Sequence, residues 1–414
     1  MFYYYKLNNK ILFSSTYYPE LTTIDVNEAY KTDDIIYYLN SFNPLKSRRS
    51  FCVSDPSLLF IKEEGIDLLQ YGKNASVVQD WILSKINNRK VMSINTNYPN
   101  WTEALNYKLP QKWKVNLLAL GDVGGTLLTG LRLLGGDCIS EIGIYDRKEA
   151  RLKRWEHEIN QVMAPFENEF YPEVKIISKE QLFDCDMFIF CASRGVPPVG
   201  NEDKDVRMVQ FEGNSEIISE YAKLARKYNF KGIFAVVTDP VDLLCKVVFL
   251  ESNKNESGKL DFEGLSADQI RGYGLGVMNA RAAYYAKKSP KTNHYIKEGR
   301  AFGPHGEGLV IADSIENYNE ELSLYLTEKA RTANLEVRKT GFKPYIAPAL
   351  SSGTLSIINT IKGKWHYSAT YMGGVYIGAN NRLLSSGTEV ERLNLPTSLF
   401  NRIKSSYKKL EDII

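Results

Sequence analysis

The sequence predicts an α/β protein: a parallel sheet wrapped by helices, followed by an α+β unit and preceded by a small α+β module. The stretch 114–146 reads strand, glycine turn, helix, strand, acidic residue. Beyond it, apolar runs of buried-strand length alternate with helical patterns, which implies right-handed crossovers and parallel pairing. The first 112 residues fit neither pattern. The expected units are residues 1–112, 113–255 and 256–414.

Composition narrows the function classes. A chain of 414 residues with 43% hydrophobic and 24% charged side chains can bury the cores of two or three globular domains. A net charge of +3 and the lack of a long basic block argue against nucleic acid as a partner. The five cysteines show no CxxC spacing and sit mostly in apolar runs, as reduced cytoplasmic thiols do. The N-terminus has no signal-peptide core and no apolar run reaches spanning length, so a cytoplasmic protein without membrane contact is expected. His157, His294, His305 and His366 form no close pair, and no metal site is expected.

Taken in order, FYYYKL and KILFSSTYY predict a tyrosine-rich hairpin around Asn8-Asn9. A strand is expected at 57–61 and a helix at 76–86, with Val77, Trp81 and Ile82 on one face. Residues 95–111, rich in Asn, Pro and Tyr, read as a linker. This first module either packs on the main body or a second subunit, or docks a protein or peptide partner. Val115 to Leu120 is a buried strand, and Leu127, Leu131 and Leu134 share a face of the helix that Gly135-Gly136 ends. A helix follows at 148–163, striped by Leu152, Trp155, Ile159 and Val162. Strands at 174–177, 187–191 and 232–237 alternate with helices at 208–228 and from Pro240. Residues 251–265 form a polar surface loop. Helices at 313–332, 348–361 and 396–410, with strands around 364–377, complete an α+β unit.

The 114–146 stretch has the order of a dinucleotide-binding, Rossmann-type βαβ unit. Gly121, Asp122, Val123 and Gly124 form the turn and open the helix, whose free N–H groups suit a diphosphate. Ala119 stands where the fingerprint has its first glycine. Asp146, ending the second strand, can bind both ribose hydroxyls, which favours NAD as cofactor over NADP.

From Val115 onward the order of segments resembles the lactate/malate dehydrogenase family, across roughly three quarters of the chain. The resemblance rests on LGDVGGT with Asp146, on CASRGVPPVG followed by Arg207 and Asn214, and on VVTDPVDLL. IRGYGLGVMNARAAYY, GPHGEG and YIAPALSS continue it in the right order. It implies hydride transfer between NAD(H) and a 2-hydroxy/2-oxo acid or a related small molecule. His305 is then the acid/base. Arg281 clamps the substrate carboxylate with its planar fork. Arg207 polarises the substrate carbonyl from a loop that closes. Asn214 joins the cofactor-binding residues, and a homo-oligomer, dimer or tetramer, is expected.

Three departures fall in the site. Met278 stands where the family has the aspartate that orients the histidine, and a thioether accepts hydrogen bonds only weakly. This points to a catalytically weakened NAD-binding sensor or assembly protein as the alternative reading. Asp239 stands where the family usually has asparagine, so the negative charge is expected either to have migrated there, against His305 or the substrate, or merely to cap the next helix. NEDKDV lengthens the loop between Gly200 and Arg207 and makes it acidic, and Pro197 falls near the family's substrate selector. The identity of the substrate stays open.

Overall fold

The computed structural model describes residues 2–72, 78–165, 170–194 and 206–414. The first unit is built on a mixed sheet of order β1-β2-β3-β5-β4. Its strands are β1 (Tyr3–Leu7), β2 (Lys10–Ser14), β3 (Ile36–Asn40), β4 (Ser50–Cys52) and β5 (Val91–Asn95), with helices α1 (Val26–Tyr30) and α2 (Asp80–Asn87). Asn8 and Asn9 both take positive φ, 48° and 60°, so the hairpin turn lies where the sequence predicts it.

A nine-stranded sheet, of order β16-β15-β14-β11-β10-β9-β6-β7-β8, forms the rest. Six strands pair in parallel: β6 (Trp113–Leu118), β7 (Ile139–Tyr145), β8 (Glu173–Ile176), β9 (Met187–Phe190), β10 (Ile233–Val236) and β11 (Ile270–Gly272). Their spatial order is that of a doubly wound nucleotide-binding sheet. The expected α/β class is therefore the one found. Helices α3 (Asp122–Leu134), α4 (Glu149–Asn160), α5 (Val206–Lys227) and α6 (Val241–Ser252) connect them. β14 (His366–Met372), β15 (Val375–Leu384) and β16 (Gly387–Val390) extend the sheet antiparallel from β11. Helices α7 (Leu275–Ala286), α8 (Tyr295–Glu298), α9 (Glu320–Lys339), α10 (Leu355–Ile361) and α11 (Thr397–Glu411) and a small β12 (Arg300–Phe302)–β13 (Val310–Ala312) ribbon complete the fold.

Some elements differ from expectation, each for a local reason. The strand at 57–61 is a 3-10 turn, Pro56–Leu59, because Asp55 caps it through the Ser57 N–H at 2.9 Å and Pro56 suits a helical first position. Leu134 is exposed, since the buried face of α3 runs through Leu127, Leu128 and Leu131 and the helix stops at Gly135. Val162 falls beyond the end of α4. The supposed linker holds a 3-10 turn, Trp101–Asn106, with Ala104 and Leu105 buried. The helix expected from 313 begins only at Glu320, because Asp313 is buried and accepts from Asn319 N–H (2.9 Å) and Ser323 Oγ (2.8 Å), folding the chain into a turn first. Val77 lies outside the described residues.

Candidate active site

Ligands of a sheet in this order sit outside the C-terminal strand ends, at the point where the order reverses between β6 and β9. After β6 the chain passes Ala119, at φ 74°, and enters α3 through Gly121. A Cβ on Gly121 would touch nothing within 4 Å, so its backbone is open to a ligand. A Cβ on Gly124 would lie 1.9 Å from the Ala119 carbonyl oxygen, and one on Gly125 2.2 Å from the Trp155 ring. Glycine is required at both. Among the described residues no side chain caps α3, so the N–H groups of Asp122, Val123 and Gly124 form a positive helix end without a side-chain acceptor there. Lys343, 3.6 Å from the Asp122 carboxylate, partly offsets the acid there. These features fit a dinucleotide diphosphate.

Asp146 ties this turn down. Its carboxylate accepts from Leu120 N–H (2.9 Å), Lys148 N–H (2.9 Å) and Arg151 Nη1 (3.0 Å). Burial opposes its charge, but these donors outweigh it and hold the carboxyl below its ordinary range. It sits at the end of β7 beside the turn and already has internal partners.

The other half of the site gathers on the turns after β10 and β12. His305 Nδ1 lies 2.7 Å from Asp239 Oδ1. With the carboxylate accepting from Nδ1–H, Nε2 becomes the ring's exchangeable end. The His305 N–H donates to Asp242 Oδ2 at 3.3 Å. Asp242 is fully enclosed, and burial pushes its carboxyl up to about 7 although the His305 N–H works against the rise. A Cβ on Gly274 would come within 2.8 Å of His305 Cβ, so a glycine at the β11–α7 turn gives the histidine its place. Asn214 is buried; its Nδ2 donates to the Asp239 carbonyl oxygen (2.8 Å) and its Oδ1 accepts from Arg194 N–H (3.0 Å). It thereby fixes the backbone that carries Asp239, whose peptide bond to Pro240 is cis.

Arg281, one turn after Met278 on α7, donates to Met278 Sδ at 3.5 Å. Burial lowers its affinity for its proton, and the Asp239 charge partly restores it. Among the described residues it forms no salt bridge. The chain can thus present a half-buried guanidinium and an imidazole–carboxylate pair at one mouth.

No protein-family model matches the chain. It is 24% identical to a malate dehydrogenase of Sulfurisphaera tokodaii over 308 residues, covering 72% of this chain and 89% of that protein. It is also 24% identical to an L-lactate dehydrogenase of Mesomycoplasma hyopneumoniae, covering 73% and 95% respectively. Among solved structures, the minor L-lactate dehydrogenase of Enterococcus mundtii in a ligand-bound form superposes with a TM-score of 0.58 at 18% identity, over 73% of this chain and 98% of that one. The malate dehydrogenase of Archaeoglobus fulgidus in complex with NADH gives a TM-score of 0.58 at 18% identity, over 72% and 97%. The chain resembles lactate and malate dehydrogenases at low identity and shares their fold. Those relatives are covered almost end to end, and the share of this chain left over is about the length of its N-terminal unit.

Within this lactate/malate dehydrogenase fold, His305 and Asp239 meet directly, and Asp239 is close enough to Arg281 for its charge to be felt. Gly121, Asp122, Val123, Gly124 and Asp146 cluster at the β6 and β7 ends. Asn214 joins the Asp239 backbone rather than the glycine turn. Arg207 stands in the first turn of α5, and its side chain, like Pro197 and the rest of 195–205, lies outside the described residues. Sequence reasoning passed over Asp242 and Gly274. Asp242 stood inside VVTDPVDLL, but only the fold brings its carboxylate under the His305 N–H.

Proposed function

We propose that the protein is an NAD-dependent oxidoreductase acting between a 2-hydroxy acid and its 2-oxo acid, or a close relative of these, with His305 and Asp239 as its acid/base pair. The observation that carries this is the 2.7 Å contact between His305 Nδ1 and Asp239 Oδ1. It gives the imidazole an orienting carboxylate from the turn after β10 instead of from α7, where Met278 stands. Met278, which pointed toward a weakened NAD-binding sensor or assembly protein, is compensated in this reading by Asp239.

The open backbone at Gly121 and the N–H groups opening α3 would hold the diphosphate of NAD, with Asp146 bracing the turn. The bound cofactor supplies or accepts the hydride. In the reducing direction His305 Nε2 gives a proton to the substrate oxygen, and Asp239 stabilises the imidazolium before that transfer. Arg281 pairs with the substrate carboxylate, a stronger partner than the Met278 sulfur it touches now. Arg207 polarises the carbonyl, and the protein works as a homo-oligomer.

The test is NADH oxidation against a panel of 2-oxo acids that includes amine-bearing ones. Wild type should turn over at least one, and His305→Ala should lower kcat/KM by about 10³-fold or more while NADH fluorescence titrations stay unchanged. NADH binding without turnover of any panel member by wild type would overturn the enzyme reading.

A further inference from the structure

Away from this crevice, where the first unit meets β16, a small cavity is lined by Arg48, Leu58, Leu68, Thr388, Val390 and Arg392. Arg48 and Arg392 are 2% and 9% exposed. Among the described residues, Arg48 Nη1 and the Nε and Nη1 of Arg392 are buried without a hydrogen-bond partner. Unpaired buried donors on charged groups are costly, so several around one cavity call for an acceptor.

The local charge is also unbalanced. Arg48 has Glu64, at 2.8 Å. Arg271, fully buried, donates to Thr388 Oγ1 on the cavity wall at 2.7 Å. Among the described residues neither Arg271 nor Arg392 has a carboxylate within salt-bridge distance, and the neighbouring Glu389 is already paired with Arg89 and Arg382. Asp55 attracts Arg392 only at longer range, and its Oδ1 accepts from Ser57. Burial lowers the proton affinity of both Arg271 and Arg392, because it takes their charge out of water.

Size then selects the occupant. The cavity is small, offering about 10 Å³ for the centre of a water-sized sphere, which suits one small particle. Water fits, but brings no charge. We propose that a single halide ion, chloride in its ordinary surroundings, binds between Arg48 and Arg392 and staples the N-terminal unit to the dehydrogenase body. Its contacts would come from one residue of each side, so it bridges units that the chain joins only through residues 96–112.

Bromide reports on the site in crystals of the full chain grown with sodium bromide, through an anomalous peak between the two guanidinium groups. In solution, melting is followed at constant ionic strength while potassium gluconate, whose anion is too large for the cavity, is exchanged for potassium chloride. A saturating rise of about 2 °C is expected in wild type. It should vanish in Arg392→Met, and, if that variant fails to fold, the wild-type bromide crystal and the gluconate comparison still decide. A flat chloride response with no bromide peak would mean that water fills the cavity and would overturn the proposal.

Discussion

Asp239 and Asp242 stand three residues apart and meet opposite circumstances around one histidine. Asp239 is half exposed and receives the ring; Asp242 is buried and receives the backbone N–H. Replacing Asp239 with Asn removes the charge that, in the proposed reaction, steadies the imidazolium, and kcat should fall about 10²–10⁴-fold with NADH binding intact. Unchanged turnover with an unchanged pH profile would leave Asp239 as a helix cap. Asp242 makes a separate prediction about stability. Its carboxyl is raised by burial from 3.8 to about 7, so between those values the folded state holds a proton that the unfolded state has released. Its contribution to stability is therefore greatest below pH 4, declines as pH rises toward 7, and is flat above. Asp242→Asn can still accept from the His305 N–H and escapes the ionisation cost. It should gain on wild type from pH 4 to 7, by roughly 1.4 kcal/mol per unit at most. Urea midpoints at pH 4.5 and 8 measure the difference, and an equal offset at both would exclude Asp242 as its source.

At the scale of elements, the glycine turn shows a local conflict held by its surroundings. Ala119 sits at φ 74°, where an L side chain costs about 1 kcal/mol, yet its N–H is bound to the Tyr145 carbonyl oxygen and the next N–H to Asp146. Ala119→Gly should therefore stabilise the protein by about 0.5 kcal/mol, the relief of strain being partly offset by unfolded-state entropy. Gly124→Ala should destabilise it by about 3 kcal/mol and weaken NADH binding, since the new Cβ meets a carbonyl oxygen at 1.9 Å. Chemical denaturation with NADH titration checks both, and a destabilised Ala119→Gly would remove the strain account. The parallel strands were legible because runs such as Val115 to Leu120 and Met187 to Cys191 are largely apolar and each follows a polar residue. The His305–Asp239 pair was legible because a missing acid at 278 and a gained one at 239 are both visible in the chain. The late start of α9 was not, since it depends on Asp313 being buried against Asn319 and Ser323. Nor was the role of Asn214, whose two partners are 20 and 25 residues away.

For the molecule as a whole, the consequence lies in where the N-terminal unit packs. One hydrophobic core contains Phe13, Tyr38, Leu69 and Ile82 together with Val310, Met372, Ile377, Leu399 and Ile403. The two sides share polar anchors as well. Asp268 accepts from Arg49 N–H (2.9 Å), Ser50 N–H (3.3 Å) and Ser50 Oγ (3.0 Å), and Tyr371 donates to the Leu45 carbonyl oxygen. Lys231 reaches Glu103 at 2.7 Å, but at an exposed site where such a pair adds little. A core shared in this way couples the units, because opening one exposes apolar surface of the other. Tryptophan emission and circular dichroism should therefore report one coincident melting transition, and removing residues 1–112 should yield aggregated protein rather than a stable body of residues 113–414. Asp268→Ala strands three donors at the seam, each costing about 1 kcal/mol or more, so it should lower the melting point by several degrees while the transition stays single. Two separated transitions in either protein would show that the N-terminal unit folds independently and that the shared core does not couple it to the rest.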